Sequence, residues 1–216
     1  MNILVVAATE IELSGIRHGS TDMLDRKVRT LVTGVGMLPS AYSIMQEISL
    51  SKPDMILQIG IAGSFREELP PGTAVVVERE IIADMGVHEN GGYRDVFELG
   101  LAGKNIVPYE DGAVVNPHVE LLSAIGIPAV RAVSVNEISS SPERISLFKN
   151  AYHSDIESME GAALHYTCSL QQIPFMQIRG ISNMVGERDK SKWKIKESLG
   201  AATAACISFI SKIDQP

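Results

Sequence analysis

Residues 54–61 read Asp-Met-Ile-Leu-Gln-Ile-Gly-Ile (DMILQIGI), a short run that is apolar at nearly every position. A strand that is apolar on both faces is typical of a central sheet with helices packed on each side. Met55, Ile56 and Leu57 therefore predict a strand buried on both faces. This prediction places the chain in the α/β class, with three layers (αβα) around a central mixed, largely parallel sheet.

Similar runs rich in β-branched residues recur along the chain, and helical patterns separate them. The predicted strands are Ile3–Ala8, Thr30–Val35, Asp54–Ile61, Thr73–Ile82, Ala129–Val135 and Phe175–Ile181. The predicted helices are Pro39–Leu50, Glu160–Leu170 and Trp193–Ile213. Helical spacing predicts two apolar faces against the sheet: Tyr42, Met45 and Ile48, and Ala163, Tyr166 and Leu170. We expect one domain over residues 1–216, with a long excursion at Gly86–Gly112.

The composition is that of an ordinary globular protein and excludes several functional classes. Of 216 residues, 45% are hydrophobic and 21% are charged, which argues against a disordered or fibrous chain. The net charge of −7, from 19 Lys and Arg against 26 Asp and Glu, is unlike that of nucleic-acid or anionic-membrane binders. Met1–Ala8 lacks a basic leader region, and Gly200–Ile210 is too short to span a bilayer. We therefore expect a cytoplasmic protein without nucleic-acid or membrane partners.

The cysteines and the missing motifs narrow the chemistry further. Cys168 and Cys206 lie far apart, with no Cys or His at metal-ligand spacing, so they predict core residues rather than a disulfide or a metal site. Gly34-Val35-Gly36 follows a predicted strand, but Pro39 replaces the third glycine of a dinucleotide fingerprint. The Walker A, nucleophile-elbow and zincin motifs are absent. No cofactor is predicted, and carboxylate and amide side chains are expected to carry out the chemistry of the site.

Three polar segments follow predicted strands, at the edge where open α/β sheets bind ligands. The first is Thr9–Glu12, which places two acids at a helix start, where the helix dipole also favours carboxylates. The second is Asp155–Ala163 (DIESMEGAA), which contains Glu157 and Glu160. The third is Arg179–Asn183 (RGISN), which offers a cation, a hydroxyl and an amide. Each segment alone is also compatible with a helix cap or a loop anchor.

Taken together and in order, five features resemble the nucleoside phosphorylase and nucleosidase superfamily: Ala8 with Glu12, Thr33–Gly36, Gly60–Gly63, Met159–Ala163 and Arg179–Asn183. Within it, the chain looks most like the futalosine hydrolases and next like the methylthioadenosine/S-adenosylhomocysteine nucleosidases. The resemblance implies a nucleoside phosphorylase-like fold, a small-molecule purine nucleoside as substrate, and a homo-oligomer, dimeric or larger. It also implies hydrolysis of the N-glycosidic bond of futalosine, which releases hypoxanthine and dehypoxanthine futalosine in menaquinone biosynthesis.

The resemblance also implies roles for individual residues. Glu12 matches the acid that activates the attacking water, and Glu160 matches the carboxylate that binds the ribose 2′ and 3′ hydroxyls. The remaining matches are Met159 beneath the sugar, Arg179 near the pocket, and Ala62 and Gly63 in the glycine turn that lines the site. The physical logic agrees, because cleavage builds positive charge on the ribose and negative charge on the departing purine.

Asn183 departs from the adenine nucleosidases, which carry an aspartate at this position to protonate adenine N7. An amide cannot supply that proton, but it can donate an N–H to N7 or O6 of a 6-oxopurine. Asn183 therefore indicates hypoxanthine or guanine rather than adenine. Val135 and Asn136 resemble a Val-Asn segment of futalosine hydrolases and are predicted to bind substrate.

Several alternatives remain open at this stage. A phosphorylase would need phosphate where Glu12 stands, and carboxylate and phosphate repel each other, so hydrolysis is favoured. Arg66 and Arg79 remain possible phosphate ligands, and Arg66, Arg94 or a partner-chain residue could recognise the carboxyphenyl-ketone arm of futalosine. Another purine nucleosidase, or a purine-nucleoside binding protein without catalysis, is also compatible with the pattern. The excursion at Gly86–Gly112 is the predicted oligomer contact.

Overall fold

The computed structural model describes residues 1–19, 27–89 and 91–213, and each of the six predicted strands and three predicted helices corresponds to an element of the structure. The strands are β1 (Asn2–Ala7), β2 (Lys27–Val32), β3 (Met55–Ser64), β4 (Ala74–Ile82), β5 (Gly86–Glu89), β6 (Gly92–Asp95), β7 (Val114–Val115), β8 (Ala129–Ser134), β9 (Ile156–Ser158) and β10 (Phe175–Met184). The helices are α1 (Glu10–Gly19), α2 (Met37–Leu50), α3 (Val119–Ile125), α4 (Pro142–Ser146), α5 (Gly161–Gln171) and α6 (Ile195–Ile213).

The central sheet is mixed and largely parallel, as predicted, and part of it closes on itself. Its strand order is β2-β1-β3-β10-β4-β8-β9, and β9 also pairs with β3. The pairs β1–β2, β1–β3, β3–β10, β4–β8 and β8–β9 are parallel, whereas β4–β10 and β3–β9 are antiparallel. The C-terminal end of β3 therefore lies between β9 and β10.

Helices cover both faces of this sheet, which confirms the three-layer architecture. Ile3, Val5 and Ala7 of β1 pack with α1, α3 and α6, whereas Leu4 and Val6 point to the other face and pack with α2 and α5. The buried residues of β3 follow the same alternation, so the predicted burial on both faces is confirmed. Both cysteines are free and lie in these two apolar clusters, as expected of small core residues.

The predicted apolar faces of two helices are wrong in part. Ile48 of α2 is buried as predicted, but Tyr42 and Met45 are exposed, and the helix buries Ile44 beside Ile48. Ala163 of α5 is buried as predicted, but Tyr166 and Leu170 are exposed, because the helix packs through its other sides. Both helices carry apolar residues around much of their circumference, so periodicity alone did not select the side that the sheet covers.

The predicted strand Thr30–Val35 ends earlier than expected. β2 stops at Val32, and the following turn contains Gly34 with φ +85° and Gly36 with φ +96°. These φ values lie in the left-handed region that favours glycine, so the chain leaves the sheet here. The turn leads directly into α2.

The excursion at Gly86–Gly112, described apart from residue 90, contains the antiparallel hairpin β5–β6 followed by turns. It approaches α5, where the rings of Tyr109 and Tyr166 lie 5.9 Å apart between centroids. Across the described ranges, no helix combines the length and apolar character that a membrane span requires.

Candidate active site

A cavity of about 320 Å³ opens beyond the carboxyl ends of β1, β3 and β10. The three predicted catalytic residues line it: Glu12, Glu160 and Asn183. The predicted substrate-binding residues Met159, Ala62 and Gly63 line it as well. The structure thus brings together side chains that lie up to 171 positions apart in the sequence.

Glu12 combines a structural role with a position in the cavity. Its Oε2 accepts hydrogen bonds from the backbone N–H of Thr9 at 3.0 Å and from Thr9 Oγ1 at 2.9 Å. These contacts form a capping box at the start of α1, so Glu12 does have the helix-capping role considered from the sequence. Its Oε1 faces β3 and accepts from the backbone N–H of Ile61 at 3.3 Å. The carboxylate is therefore fixed in the wall of the cavity.

Glu160 is held from two sides at the start of α5. The backbone N–H of Gly36 donates to Glu160 Oε1 at 3.0 Å. The guanidinium of Arg179 lies on the other side, with Nη1 at 3.6 Å from Glu160 Oε2. Both side chains are almost fully buried, so this ion pair is shielded from solvent.

Arg179 lies behind the wall of the cavity rather than in it. Only 1% of the residue is exposed, and its Nη2 donates to Gln58 Oε1 at 2.8 Å. A Cβ on Gly60 would lie 2.4 Å from Arg179 Nη1 and 2.9 Å from Glu12 Oε1, so only glycine leaves room for both groups. Arg179 is thus a buried cation close to both acidic residues, and its predicted direct contact with substrate is replaced by a contact with Glu160.

Asn183 presents its amide to the cavity in a fixed orientation. Ser182 Oγ donates to Asn183 Oδ1 at 2.7 Å, and Asn183 Nδ2 donates to the carbonyl oxygen of Met184 at 2.9 Å. The second hydrogen of Nδ2 has no acceptor among the described residues. The amide is therefore able to donate to a ligand.

A third carboxylate, Glu157 of β9, also lines the cavity. Its Oε1 accepts from the backbone N–H of Ser139 at 2.9 Å, while Oε2 is buried and has no partner among the described residues. Burial raises the pKa of Glu157 above its ordinary value. The sequence pattern placed this residue in a candidate segment but gave it no role.

Two predicted substrate-binding residues, Val135 and Asn136, lie outside the cavity. Val135 is fully buried in an apolar cluster around Phe148, because its side chain points into the core. Asn136 donates from its backbone N at 2.6 Å and from Nδ2 at 3.2 Å to the carboxylate of Asp84, which holds it away from the site. Ile138 lines the cavity instead.

None of the three arginines considered for phosphate or for the substrate arm lines the cavity. Each is occupied elsewhere: Arg66 by Asp155 at 3.0 Å, Arg94 by Glu89 at 2.8 Å, and Arg79 by the carbonyls of Glu110 and Asp111. A different cation, Arg188, lines the cavity beside Trp193, with its guanidinium carbon 5.9 Å from the indole centroid. Sequence reasoning missed this pair because it lies in an irregular segment between β10 and α6.

A buried polar cluster lies directly behind the start of α5. Ser134 Oγ donates to Glu80 Oε1 at 3.0 Å and accepts from the backbone N–H of Ala162 at 2.8 Å. Burial raises the pKa of Glu80 to about 7, although the positive charge of Arg179 opposes this shift. In the same region, burial lowers the pKa of His165 to about 3. The cluster supports the backbone next to Glu160 without lining the cavity.

Within residues 1–19, 27–89 and 91–213, no group of His, Cys, Asp and Glu side chains is arranged to hold a metal ion. Cys168 and Cys206 are buried, and burial raises the pKa of both thiols, to about 12 for Cys206. Neither thiol lines the cavity.

Comparisons with known proteins agree with this geometry. The chain is 28% identical over 178 residues to the futalosine hydrolase of Thermus thermophilus, which covers 81% of this chain and 77% of that protein. It is 26% identical to a 5′-methylthioadenosine/S-adenosylhomocysteine nucleosidase of Staphylococcus aureus, over 85% of this chain and 80% of that protein. The solved structure of futalosine hydrolase of Helicobacter pylori superimposes with a TM-score of 0.83 over 98% of both chains at 14% identity, which shows the fold.

The family model of the phosphorylase superfamily matches residues 12–213, which is nearly the whole chain. The match runs from Glu12 through the segments that contain Glu160 and Asn183. The chain therefore belongs to the phosphorylase superfamily.

Proposed function

We propose that the chain, acting as a single domain, hydrolyses the N-glycosidic bond of futalosine to hypoxanthine and dehypoxanthine futalosine. The observation that carries this proposal is the presence of Glu12, Glu160 and the amide of Asn183 in one cavity. The similarity to the Thermus thermophilus futalosine hydrolase supports the choice of substrate.

Glu160 and Met159 contact the ribose of the substrate. Glu160 binds the ribose 2′ and 3′ hydroxyls, and Met159 packs against the sugar. As the C1′–N9 bond breaks, positive charge develops on the ribose, and the buried carboxylate of Glu160 stabilises it. The contacts from Gly36 and Arg179 keep that carboxylate oriented before the reaction begins.

Glu12 is the general base in this proposal. A water molecule attacks C1′ while Glu12 accepts one of its protons, and the electron pair of the C1′–N9 bond leaves with the purine. General-base catalysis of this kind contributes typically 10²–10⁴-fold. The hydrogen bonds from Thr9 and Ile61 fix the carboxylate, so no reorganisation is needed when the proton moves.

Asn183 forms a hydrogen bond with the departing base. Its free amide hydrogen donates to N7 or O6 of hypoxanthine, where negative charge accumulates as the bond breaks. This interaction does not require a protonated side chain. It suits a 6-oxopurine because both of these atoms are hydrogen-bond acceptors.

Arg188 and Trp193 supply a site for the remainder of the substrate. The arm of futalosine carries an aromatic ring and a carboxylate, and these groups match an indole face and a guanidinium. Both residues line the same cavity as Glu12 and Asn183. This pair replaces Arg66 and Arg94 as the proposed recognition element for the arm.

Water is favoured over phosphate as the nucleophile. The carboxylate of Glu12 would repel a phosphate ion bound beside C1′. Arg66 and Arg79, which sequence reasoning left as possible phosphate ligands, are bound to other groups outside the cavity.

The proposal extends to the assembly and its location. Ile11 and Val35 line the cavity yet are 71% and 56% exposed, so a second copy of the chain covering them would close the site. We place this homo-oligomer in the cytoplasm, where free thiols such as those of Cys168 and Cys206 are typical. Analytical ultracentrifugation tests the assembly, and a monomer at catalytic concentrations contradicts it.

The test of the function is incubation of the purified protein with futalosine, inosine and methylthioadenosine, with and without phosphate, followed by chromatography of the released bases. We expect hypoxanthine from futalosine without phosphate. Adenine as the main product, or a requirement for phosphate, identifies another purine nucleosidase or a phosphorylase. Binding without release of any base from all three substrates identifies a binding protein.

A further inference from the structure

We infer that Asp84 is a positioning residue: it fixes the loop after β8 so that Ile138 forms a wall of the cavity, and it thereby raises the affinity of the cavity for a purine. This inference rests on the proposed function, since it concerns the same cavity and its ligand. Asp84 lies two residues after β4 and does not line the cavity. Its effect on a ligand therefore passes through another residue.

The carboxylate of Asp84 accepts hydrogen bonds from four donors among the described residues. Its Oδ2 accepts from the backbone N–H of Asn136 at 2.6 Å and from that of Glu137 at 3.3 Å. Its Oδ1 accepts from Asn136 Nδ2 at 3.2 Å, and the fourth donor is Arg144 Nη2, at 3.3 Å from Oδ2. Successive backbone N–H groups aimed at one oxygen form an anion-binding nest. The Asp84 side chain is only 14% exposed, so water competes little with these bonds.

Arg144 of α4 holds the same segment from the other side. Its Nη2 also donates to the carbonyl oxygen of Glu137 at 2.8 Å, and its Nη1 lies 3.4 Å from Glu137 Oε2. Its guanidinium carbon lies 5.2 Å from the ring centroid of Phe148, a buried core residue. Asp84 and Arg144 thus fix residues 136 and 137 between the end of β4 and α4.

Ile138 is the next residue along the chain, and its side chain lines the cavity. On its other side, the backbone N–H of Ser139 donates to Glu157 Oε1 at 2.9 Å. The loop is therefore anchored directly before and directly after Ile138. Ile138 is 40% exposed and belongs to none of the apolar clusters formed by the described residues. The anchors on its neighbours, rather than core packing, determine where Ile138 points.

Removal of the Asp84 carboxylate should therefore release Ile138. Two backbone N–H groups and a guanidinium lose their anion, so residues 136–138 gain alternative conformations. A ligand then binds only the fraction of molecules in which Ile138 is in place, and the observed affinity falls by that fraction. Glu12 and Glu160 are held by other segments, so cleavage of bound substrate should change little.

The test is a double-mutant cycle read by calorimetry with free hypoxanthine, which does not depend on turnover. The proteins are the wild type, Asp84→Ala, Ile138→Ala and the double variant, with Asp155→Ala as the control. Asp155 is well matched: its side chain is 15% exposed, it accepts from Arg66 Nη1 at 3.0 Å and from the backbone N–H of Arg131 at 2.9 Å, and it does not line the cavity. Thermal melting shows which variants are folded, and Asp84→Asn replaces Asp84→Ala throughout the cycle if the latter is not.

We expect Asp84→Ala to lower the hypoxanthine affinity about 10-fold, the effect of a loop that is in place in about a tenth of the molecules. Ile138→Ala should lower it about 10- to 50-fold through lost apolar contact. Because Asp84 acts through Ile138, adding Asp84→Ala to Ile138→Ala should change the affinity by less than about twofold. Asp155→Ala should leave the affinity unchanged.

Hydrogen exchange followed by mass spectrometry reports on the loop itself. Exchange over residues 135–141 should be faster in Asp84→Ala and unchanged in Asp155→Ala. The inference is overturned by unchanged exchange or affinity in Asp84→Ala, by an equal loss of affinity in Asp155→Ala, or by the same loss from Asp84→Ala with and without Ile138. A wild type that does not bind hypoxanthine overturns it as well.

Hydrolysis of futalosine by the same preparations separates this inference from the proposed function. Asp84→Ala should raise KM about 10-fold and leave kcat within about threefold of wild type, as expected when binding rather than chemistry is affected. If futalosine is hydrolysed but the cycle is additive, the function stands and the inference fails. If futalosine is not hydrolysed but the cycle is non-additive, the role of Asp84 stands and the proposed substrate is wrong.

Discussion

The backbone N–H of Gly36 donates a hydrogen bond to Oε1 of Glu160 at 3.0 Å, although the two residues lie 124 positions apart. Gly36 adopts φ +96° in the turn between β2 and α2, and this conformation aims its N–H at the start of α5. A glycine turn that resembles part of a nucleotide fingerprint in sequence thus holds a side chain of the candidate site.

Replacing Gly36 by Ala should weaken both the fold and the reaction. Gly36 has φ +96° and ψ 163°, a conformation that is essentially restricted to glycine, so a Cβ there costs about 1–3 kcal/mol. A displaced N–H leaves Glu160 less well oriented, so we expect kcat/KM to fall by about 10- to 100-fold. The matched control is Gly91→Ala, because Gly91 has φ +79° and an added Cβ there would meet no atom within 4 Å, in a hairpin away from the cavity. Equal loss of activity in the two variants would contradict a specific role for Gly36.

Glu12→Gln should lower kcat by 10²–10⁴-fold, since an amide cannot accept the proton of the attacking water. Steady-state release of hypoxanthine measures the effect, and calorimetry with hypoxanthine checks that the cavity still binds ligand. Glu10→Gln is the control, because Glu10 lies in the same helical turn but its side chain is 68% exposed and binds Arg17. Retention of wild-type kcat by Glu12→Gln rules out Glu12 as the base.

Gly60→Ala should damage the site through crowding. The new Cβ would approach Arg179 Nη1 at 2.4 Å and Glu12 Oε1 at 2.9 Å, and Arg179 is buried and cannot move aside freely. We expect a loss of about 1–3 kcal/mol in the free energy of unfolding and about 100-fold in kcat/KM. Gly200→Ala, in the middle of α6 with nothing near its Cβ, should instead raise stability by about 0.5–1 kcal/mol and preserve activity.

Arg188→Met should discriminate between substrates. Loss of the guanidinium removes the proposed partner of the substrate carboxylate, so kcat/KM for futalosine should fall about 3- to 10-fold, whereas that for inosine, which lacks the arm, should not change. Lys190→Met removes an exposed cation nearby that does not line the cavity, and it serves as the control. An equal decrease for both substrates would assign Arg188 a role other than recognition of the arm.

Glu80 should make stability depend on pH. Its pKa is raised from 4.5 to about 7 in the folded protein, so the folded state holds a proton that the unfolded state releases between these values. The stabilisation is full below pH 4.5 and is lost as the pH rises through about 7. Glu80→Gln remains neutral, so its free energy of unfolding relative to wild type should increase by up to about 3 kcal/mol from about pH 4 to about pH 8.

Denaturant unfolding of both proteins across this pH range measures the difference in their free energies of unfolding. His165, whose pKa is lowered, contributes an opposite pH dependence, but both proteins share it, so it cancels in the difference. Glu78→Gln is the control, because Glu78 lies on the same strand but its side chain is 45% exposed. A difference between wild type and Glu80→Gln that does not vary with pH contradicts a raised pKa for Glu80.

The sequence alone determined the layers of this protein and predicted the acids of its candidate site. Runs such as Met55–Leu57 are apolar at successive positions, and burial of such residues is a local property that survives in any correct α/β packing. Glu12, Glu160 and Asn183 were predicted from polar segments near strand ends, where ligand sites of this architecture occur, and from the order in which these segments resemble one superfamily. The structure places all three at one cavity. The apolar sides of α2 and α5 were predicted only in part, through Ile48 and Ala163, because both helices are apolar around much of their surface.

Only the tertiary structure decided how these groups meet. Asn183, Gly63 and Glu157 lie side by side in the sheet because β9 and β10 pair with the same end of β3. Strand pairing between distant segments produces no periodic pattern in the sequence. The same holds for the Gly36–Glu160 hydrogen bond and for Val135, which points into the core although Ile138, three residues later, lines the cavity. Local patterns report whether a residue is buried, whereas long-range register determines what it touches.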